Sequence, residues 1–422
     1  MFPGLNSSLP MIADAPISGK DYLTFSRYVK PFSDMIFDPL TETPFTVGIF
    51  GKWGSGKTTL MQFIDATAAE KKYPTIWFNP WLYQTEDNLI VPLLHTIHDW
   101  LLQSNMEKAK EAAILVANVI AKIAGSLLVK HLTMDKVSFE DVEKRVKEYV
   151  DKRGAAISAL RTLRNELQKV VDGLTDNGKD GRRVILFVDD LDRCVPTKIV
   201  ELLESIKLFL DLKNVILFLA IDRDVVQQGI RHFYKDFKLE EGSQLSALTA
   251  DYIDKMIQLP FFLYPLGADQ VGEYLNQLSN APDLQEQSEL FRNCLLPNPR
   301  KIKRVLNVYR LSLAVAPHLF ADPDGKRKRS LLAKIVMIQH QWGDLYTDIA
   351  ANVDLAPVLE RIYKKDLDLS SAPNWAEFRD RQEVLMKLSQ THYRPVPQLA
   401  QLFGRDPSFV NQDLGSYLHL LG

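Results

Sequence analysis

Cysteine is nearly missing from this chain: Cys194 and Cys294 are its only two in 422 residues, and neither has the spacing of a metal site. A disulfide framework is therefore excluded and a reducing, cytoplasmic setting is expected. Surplus charge is equally scarce, with 51 Lys and Arg against 53 Asp and Glu and a formal net charge of −2. No bulk field draws the chain to nucleic acid or to an anionic membrane, so a nucleic-acid partner is not favoured and any such contact must be local. The first twenty residues, rich in proline and serine, lack the basic start and sustained apolar run of a signal peptide and read as a loose lead-in. Repeat periodicity is absent as well.

What the chain does contain is a phosphate cradle. Phe45 to Leu60, FTVGIFGKWGSGKTTL, is a short apolar strand followed by a glycine-rich turn and the start of a helix. The spacing Gly51-x4-Gly56-Lys57-Thr58 fits a loop whose backbone N–H groups wrap phosphate oxygens. Lys57 is placed to reach the β- and γ-phosphates, and the Thr58 hydroxyl to join a Mg²⁺ shell. Glycines at 51, 54 and 56 let the backbone approach without a Cβ, and the helix aims its N-terminal dipole at the anion. The expected nucleotide contacts are Gly51, Trp53, Gly54, Ser55, Gly56, Lys57, Thr58 and Thr59.

A helix interrupted near Pro31 is expected before the cradle, and a second strand at Thr75 to Phe78 after it. His95 and His98 lie one turn apart on the next helix, but with no third ligand in reach they read as ordinary helix-face residues. Residues 103 to 181 then look like an insertion. Ala112 to Val129 is its most apolar part, yet the gain from Ile, Leu and Val, about −4.5 kcal/mol, is cancelled by a central Lys122 at about +3 kcal/mol and by Asn118. A single span would also leave the strands of one sheet on opposite sides of a bilayer. No integral span is therefore expected, and a buried or partner-facing helix is preferred to a membrane-surface one, although peripheral membrane association stays open. Val137 to Val150 and Ala155 to Val171 read as charged amphipathic helices.

Arg183 to Asp190, RVILFVDD, is a strand buried on both faces that ends in two carboxylates, the edge where α/β sites form. Asp189 is expected to hold Mg²⁺ through water, as a hard oxygen ligand, and Asp190 to orient or deprotonate the attacking water. Asn214 to Ala220 is a further buried strand running into Asp222, which either senses the terminal phosphate or caps the next helix. Gln258 to Tyr264 supplies the last strand. Beyond Pro265 the apolar spacing is helical nearly to the end, with Asn298-Pro299 opening one helix and Arg300 or Arg304 able to reach over the nucleotide. The basic run Lys326 to Arg329 reads as a solvated helix start.

Seven ordered blocks between about Thr46 and Asn307, among them GKWGSGKTTL, FNPWLY, VILFVDDLDRCVP, LAIDRDVV and NPRKIKRVLN, resemble the KAP family of P-loop NTPases. The resemblance implies an α/β fold of ASCE type: a mainly parallel five-stranded sheet, with one extra strand between the cradle strand and the Walker B strand. It also implies a helical lid after the core, and the apolar spacing sets the expected bounds: a core over residues 21–265 carrying the helical insertion, and a helical lid and C-terminal domain over 266–422. Mg²⁺-dependent ATP hydrolysis is the implied activity, with ATP and Mg²⁺ as ligands and Lys57, Asp190, Arg300 and Arg304 as its catalytic groups. An arginine finger from a neighbouring chain is a further expectation, with Arg193 or Arg223 nearest in sequence. Bacterial members recur in phage defence, and the expected partners are a second copy of the chain or a protein effector, met through the insertion or the C-terminal helices. The rival reading is a nucleotide-regulated scaffold. Trp81 of the FNPWLY block is expected to pack beneath the nucleotide site.

Overall fold

Hydrophobic patterning assigns the strands before any contact is considered. A computed structural model of the chain describes residues 11–14, 21–86, 89–104, 109–125, 161–162, 164–233, 243–278, 281–364, 397–418 and 420. It divides into two compact units, one of Thr24–Tyr264 and one of Met1–Leu23 with Pro265–Gly422.

The first unit is built on five parallel strands, β1 (Phe45–Phe50), β2 (Thr75–Phe78), β3 (Val184–Val188), β4 (Val215–Ile221) and β5 (Leu259–Phe262), ordered β2-β3-β4-β1-β5. Every residue of β3 and β4 is buried. That is why both read as unbroken apolar runs, since a strand covered on two faces has no polar side to alternate with. The extra strand implied by the family resemblance is β4, seated between β1 and β3. Because all five run the same way, the C-terminal ends of β1, β3 and β4 share one edge, with Phe50 level with Ile221 and Val188 level with Leu219.

Helix α1 (Ser26–Phe37) continues through Pro31 where an interruption was expected. Pro31 and Arg27, whose carbonyl loses its helical donor, are both exposed, so water can serve the freed oxygen. The helix inserts Phe32 edge-on between Phe218 of β4 and Phe261 of β5. Its C-terminal end is fastened by Arg183, a buried guanidinium that donates to the carbonyls of Ile36 and Asp38 at 2.7 Å and of Thr41 at 2.8 Å. Helix α2 (Lys57–Glu70) follows the cradle and buries Leu60, Met61, Ile64 and Ala68.

The helix carrying His95 and His98 is α3 (Ile90–Gln103), and of the expected insertion at 103–181, α4 (Ala109–Gly125) and a helix α5 over residues 164–175 are described. Ala109, Ala112, Ala113, Val116 and Val119 of α4 are buried in the same core as Leu93, Leu94, Ile97 and Leu101 of α3, and Asn118 is exposed. Among the described residues no helix is long and apolar enough to cross a membrane. The amphipathic helix expected at Val137 to Val150 lies outside the described residues. Three helices complete this unit: α6 (Pro196–Phe209), α7 (Arg223–Phe233) and α8 (Ser243–Met256). Helices α6 and α7 approach so closely at Gly229 that a Cβ there would come within 2.7 Å of the Pro196 carbonyl oxygen.

The second unit is helical: α9 (Ala268–Leu278), α10 (Pro282–Glu286), α11 (Ser288–Cys294), α12 (Pro299–Val315), α13 (Gly325–Gln341), α14 (Gly343–Ala351), α15 (Leu355–Tyr363), α16 (Pro397–Gly404) and α17 (Gly415–Leu418). Asn298 caps α12 by accepting from the Lys301 N–H, as the Asn-Pro start predicts. The middle of α13, Leu331 to Ile338, is buried on all sides, and Lys334 within it is satisfied by the carbonyls of Arg405 and Pro407. The expected single helix from Leu331 to Leu345 breaks at Trp342, whose non-helical backbone (φ −137°, ψ 67°) precedes Gly343. In the basic run, Lys328 pairs with Asp322 and Arg329 with Glu286. The lead-in is not loose where it is described: Ile12 exchanges two 2.8 Å hydrogen bonds with Asn307, and Lys303 donates to the Ala13 carbonyl.

Candidate functional site

The turn after β1 folds as its glycines require. Gly54 and Gly56 have φ of 82° and 100°, values that side chains disfavour. A Cβ on Gly51 would sit 2.5 Å from the Ser55 hydroxyl. Gly56 is the N-cap of α2, so the first N–H groups of that helix open onto the loop. Among the described residues, the N–H groups of Gly54, Gly56, Lys57, Thr58 and Thr59 have no backbone or side-chain acceptor. The Ser55 hydroxyl is also buried without a partner. A row of converging, unsatisfied donors at a helix N-terminus fits an anion.

Lys57 spans the loop it belongs to. Its ammonium donates to the Gly51 carbonyl at 2.8 Å and pairs with Asp192 at 3.0 Å, with the two side chains only 7% and 8% exposed. The Thr58 hydroxyl hydrogen-bonds Asp189 at the end of β3, so the two expected Mg²⁺ ligands meet across strands far apart in sequence. Burial pushes the Asp189 carboxyl above its ordinary range, and the hydrogen bond from Thr58 opposes that shift. A desolvated carboxylate beside a hydroxyl is a hard-oxygen donor set that a divalent cation would compensate.

Asp190 sits in left-handed backbone, φ 55°, which turns its side chain out of the strand line. One carboxylate oxygen accepts from Asn79 Nδ2 at 2.9 Å, and the other lies 2.8 Å from Arg193 Nε. Asn79 therefore gives the FNPWLY block a chemical role: it braces Asp190, while its Oδ1 caps the short turn Pro80–Tyr83 through the Trp81 N–H. Trp81 does not pack beneath the site. It is 39% exposed, and the Arg193 guanidinium lies 5.2 Å from its ring and 5.9 Å from the ring of Trp53, itself 58% exposed.

Asp222 at the end of β4 is buried, and its Oδ1 accepts from the Asp224 N–H, which is the capping alternative. It also stands 3.6 Å from the ammonium of Lys52, which pairs with Asp224 as well. Arg300 and Arg304 belong to the helical unit, where Arg304 holds Asp14 at 2.8 Å and Arg300 lies 3.9 Å from the same oxygen. Among the described residues no cluster of three or more His, Cys, Asp or Glu could hold a metal, and His95 and His98 form no such site.

Sequence reasoning missed Asp192 and Asn79. Asp192 had a signal, being the third acid of Asp-Asp-Leu-Asp, and Asn79 follows β2 directly at the same sheet edge as the cradle.

Among known proteins, the chain is 24% identical over 334 residues to the phage T7 exclusion protein of Escherichia coli K12, an alignment covering 70% of this chain and 42% of that one. It thus spans less than half of that relative's length. An uncharacterized protein of Methanocaldococcus jannaschii is 26% identical over 165 residues, 32% of this chain and 83% of its own. Among solved structures, a Walker-type ATPase of Pyrococcus abyssi matches with TM-score 0.34 at 13% identity, covering 90% of this chain and 95% of that one. The Aeropyrum pernix ORC2 protein, in ADPNP–ADP complexes, matches with TM-score 0.37 at 12% identity, covering 90% and 83%. Residues 25–315, more than half of the chain, match the model of the KAP family P-loop domain, and the protein belongs to that family.

Proposed function

We propose that the protein is a Mg²⁺-dependent ATPase that uses ATP binding and hydrolysis to switch conformation or assembly, in a bacterial defence system against phage. The observation that carries this reading is the row of unsatisfied N–H groups from Gly54 to Thr59, set beside Lys57 and the Thr58–Asp189 pair. The backbone donors and Lys57 bind the triphosphate, Lys57 by giving up Asp192. Thr58 and Asp189 would hold Mg²⁺, which would supply positive charge to offset that of the transferring phosphate. Asp190 receives the proton of the attacking water. As the new P–O bond forms, the bond from the γ-phosphorus to the bridging oxygen breaks and its electron pair leaves on ADP. For Arg300 and Arg304 to act on the terminal phosphate they must first release Asp14. The defence role is supported by the name of the phage T7 exclusion relative.

Calorimetry and phosphate release test these roles together. Lys57→Ala is expected to abolish heat on mixing with Mg-ATP, whereas Asp190→Asn keeps that heat and loses turnover. Equal loss of binding in both variants would undo the assignment. Mass measurement with ADP, ATP and a slowly hydrolysed analogue separates the switching enzyme, whose assembly reverts as ATP is consumed, from a scaffold that needs binding alone.

A further inference from the structure

Arg193 does more here than balance a surface carboxylate. The short turn Leu191–Arg193 follows Asp190 directly, with the Arg193 N–H bonded to the Asp190 carbonyl, so the side chain starts from a fixed point at the sheet edge. Its Nε lies 2.8 Å from Asp190 Oδ1, yet the N–H is not aimed at that oxygen, and this buried atom makes no hydrogen bond. Its guanidinium carbon lies 5.9 Å from the ring centre of Trp53, inside the phosphate loop, and 5.2 Å from that of Trp81. Among the described residues neither Nη donates a hydrogen bond. A guanidinium flanked by aromatic rings, with both Nη groups unengaged, is suited to recognise phosphate in two-point fashion.

The position has a second consequence for Asp190. With Asn79 on one oxygen and Arg193 on the other, both carboxylate oxygens are engaged. A guanidinium at 2.8 Å crowds the approach to Oδ1, and its departure would open that oxygen to the attacking water.

We propose that Arg193 is a catalytic residue supplied by the chain itself, which leaves Asp190 for the terminal phosphate of bound ATP and by that one movement both neutralises the transferring group and frees the base. The proposal rests on the ATPase reading above. The bonds made and broken are those already given, with the guanidinium adding charge compensation and exchanging no proton.

The test uses the full chain with three probes: Mg-ATP, Mg-ADP, and Mg-ADP with aluminium fluoride as the transition-state mimic. Arg193→Ala and the donor-retaining Arg193→Gln are expected to bind Mg-ATP within a few-fold of wild type. They should lose on the order of 10³ in turnover and a comparable factor in affinity for the aluminium fluoride complex. Wild-type tryptophan emission is expected to change with Mg-ATP and not with Mg-ADP, and the change should vanish in the Arg193 variants and shrink in Trp53→Phe and Trp81→Phe. Full turnover, or an unaltered emission change, in both Arg193 variants overturns the inference while leaving the ATPase reading in place. If wild type gives no Lys57-dependent heat with Mg-ATP, both fall together.

Discussion

Asp192 is the residue whose replacement separates an aid to nucleotide binding from an obstacle to it. Its carboxylate lies 3.0 Å from the Lys57 ammonium, in a pair less than a tenth exposed on either side. At an effective dielectric near 20 the attraction is about 5 kcal/mol, most of it offset by the desolvation of both ions. Removing one partner of such a pair strands the other, at about 3 kcal/mol of stability. Asp192→Asn should therefore melt lower without nucleotide, by roughly 2–4 °C per kcal/mol for a domain of 150–250 residues. A triphosphate then restores what the substitution removed. In wild type it must displace Asp192 from Lys57, and in the variant it need not, so the affinity for Mg-ATP should rise by about 10- to 100-fold, or roughly 1.4–2.8 kcal/mol. The assay is thermal unfolding with and without Mg-ATP, backed by calorimetry. The variant should start lower and gain more than wild type on adding the ligand. A folded Asp192→Asn that binds as weakly as Lys57→Ala would show that Asp192 positions Lys57 and does not compete for it.

Two further substitutions probe the frame around the site. Arg183→Met leaves the carbonyls of Ile36, Asp38 and Thr41 without their donor in a buried place, and should cost about 3 kcal/mol or more in urea unfolding; a loss under 1 kcal/mol would mean that water replaces the guanidinium. In the helical unit, burial lowers Lys334 from 10.5 to about 8. Between those values the unfolded chain keeps a proton that the folded one has lost, so stability rises with pH across that window, by up to about 3 kcal/mol. Wild type should gain on Lys334→Met in melting temperature as pH goes from 8 to 10, and parallel curves for the two proteins would refute the assignment.

Much of the fold was legible because its information is local. Strands β3 and β4 are buried on both faces, and such strands must be unbroken apolar runs. The half-exposed edge strand β5 was found less sharply within Gln258 to Tyr264. The cradle was legible for the same reason, its glycines and Lys57 being neighbours in sequence. Pro31 misled because its cost depends on where the freed carbonyl of Arg27 points, which no pattern of residue types records. The contacts that give the site its state were not legible at all. Lys57 meets Asp192 across 135 positions, and Asn79 meets Asp190 across 111. Spacing within a motif carries no record of a partner that arrives from another strand, and only the shared sheet edge brings them together.

That edge also supports the proposed switch. Among the described residues, three cations at the cradle are held by acids that follow β3 and β4: Lys52 by Asp222 and Asp224, Lys57 by Asp192, and Arg193 by Asp190. A triphosphate can engage these cations only by displacing acids, and the carboxylates it displaces then need a new counter-charge. Part of the binding free energy is therefore diverted into re-pairing, which lowers net affinity but moves specific pieces of chain. Two of the acids, Asp190 and Asp192, flank Leu191 in a turn that leads into α6, while Asp222 caps α7 by accepting from the N–H of Asp224 in its first turn. Helices α6 and α7 touch at Gly229 with no room for a methyl group. A shift of either turn must be passed on or absorbed at that contact, because a close-packed interface has no slack in which to lose it. The ion pairs that hold the cradle's cations are thus the same parts through which nucleotide would be felt at the outer helices.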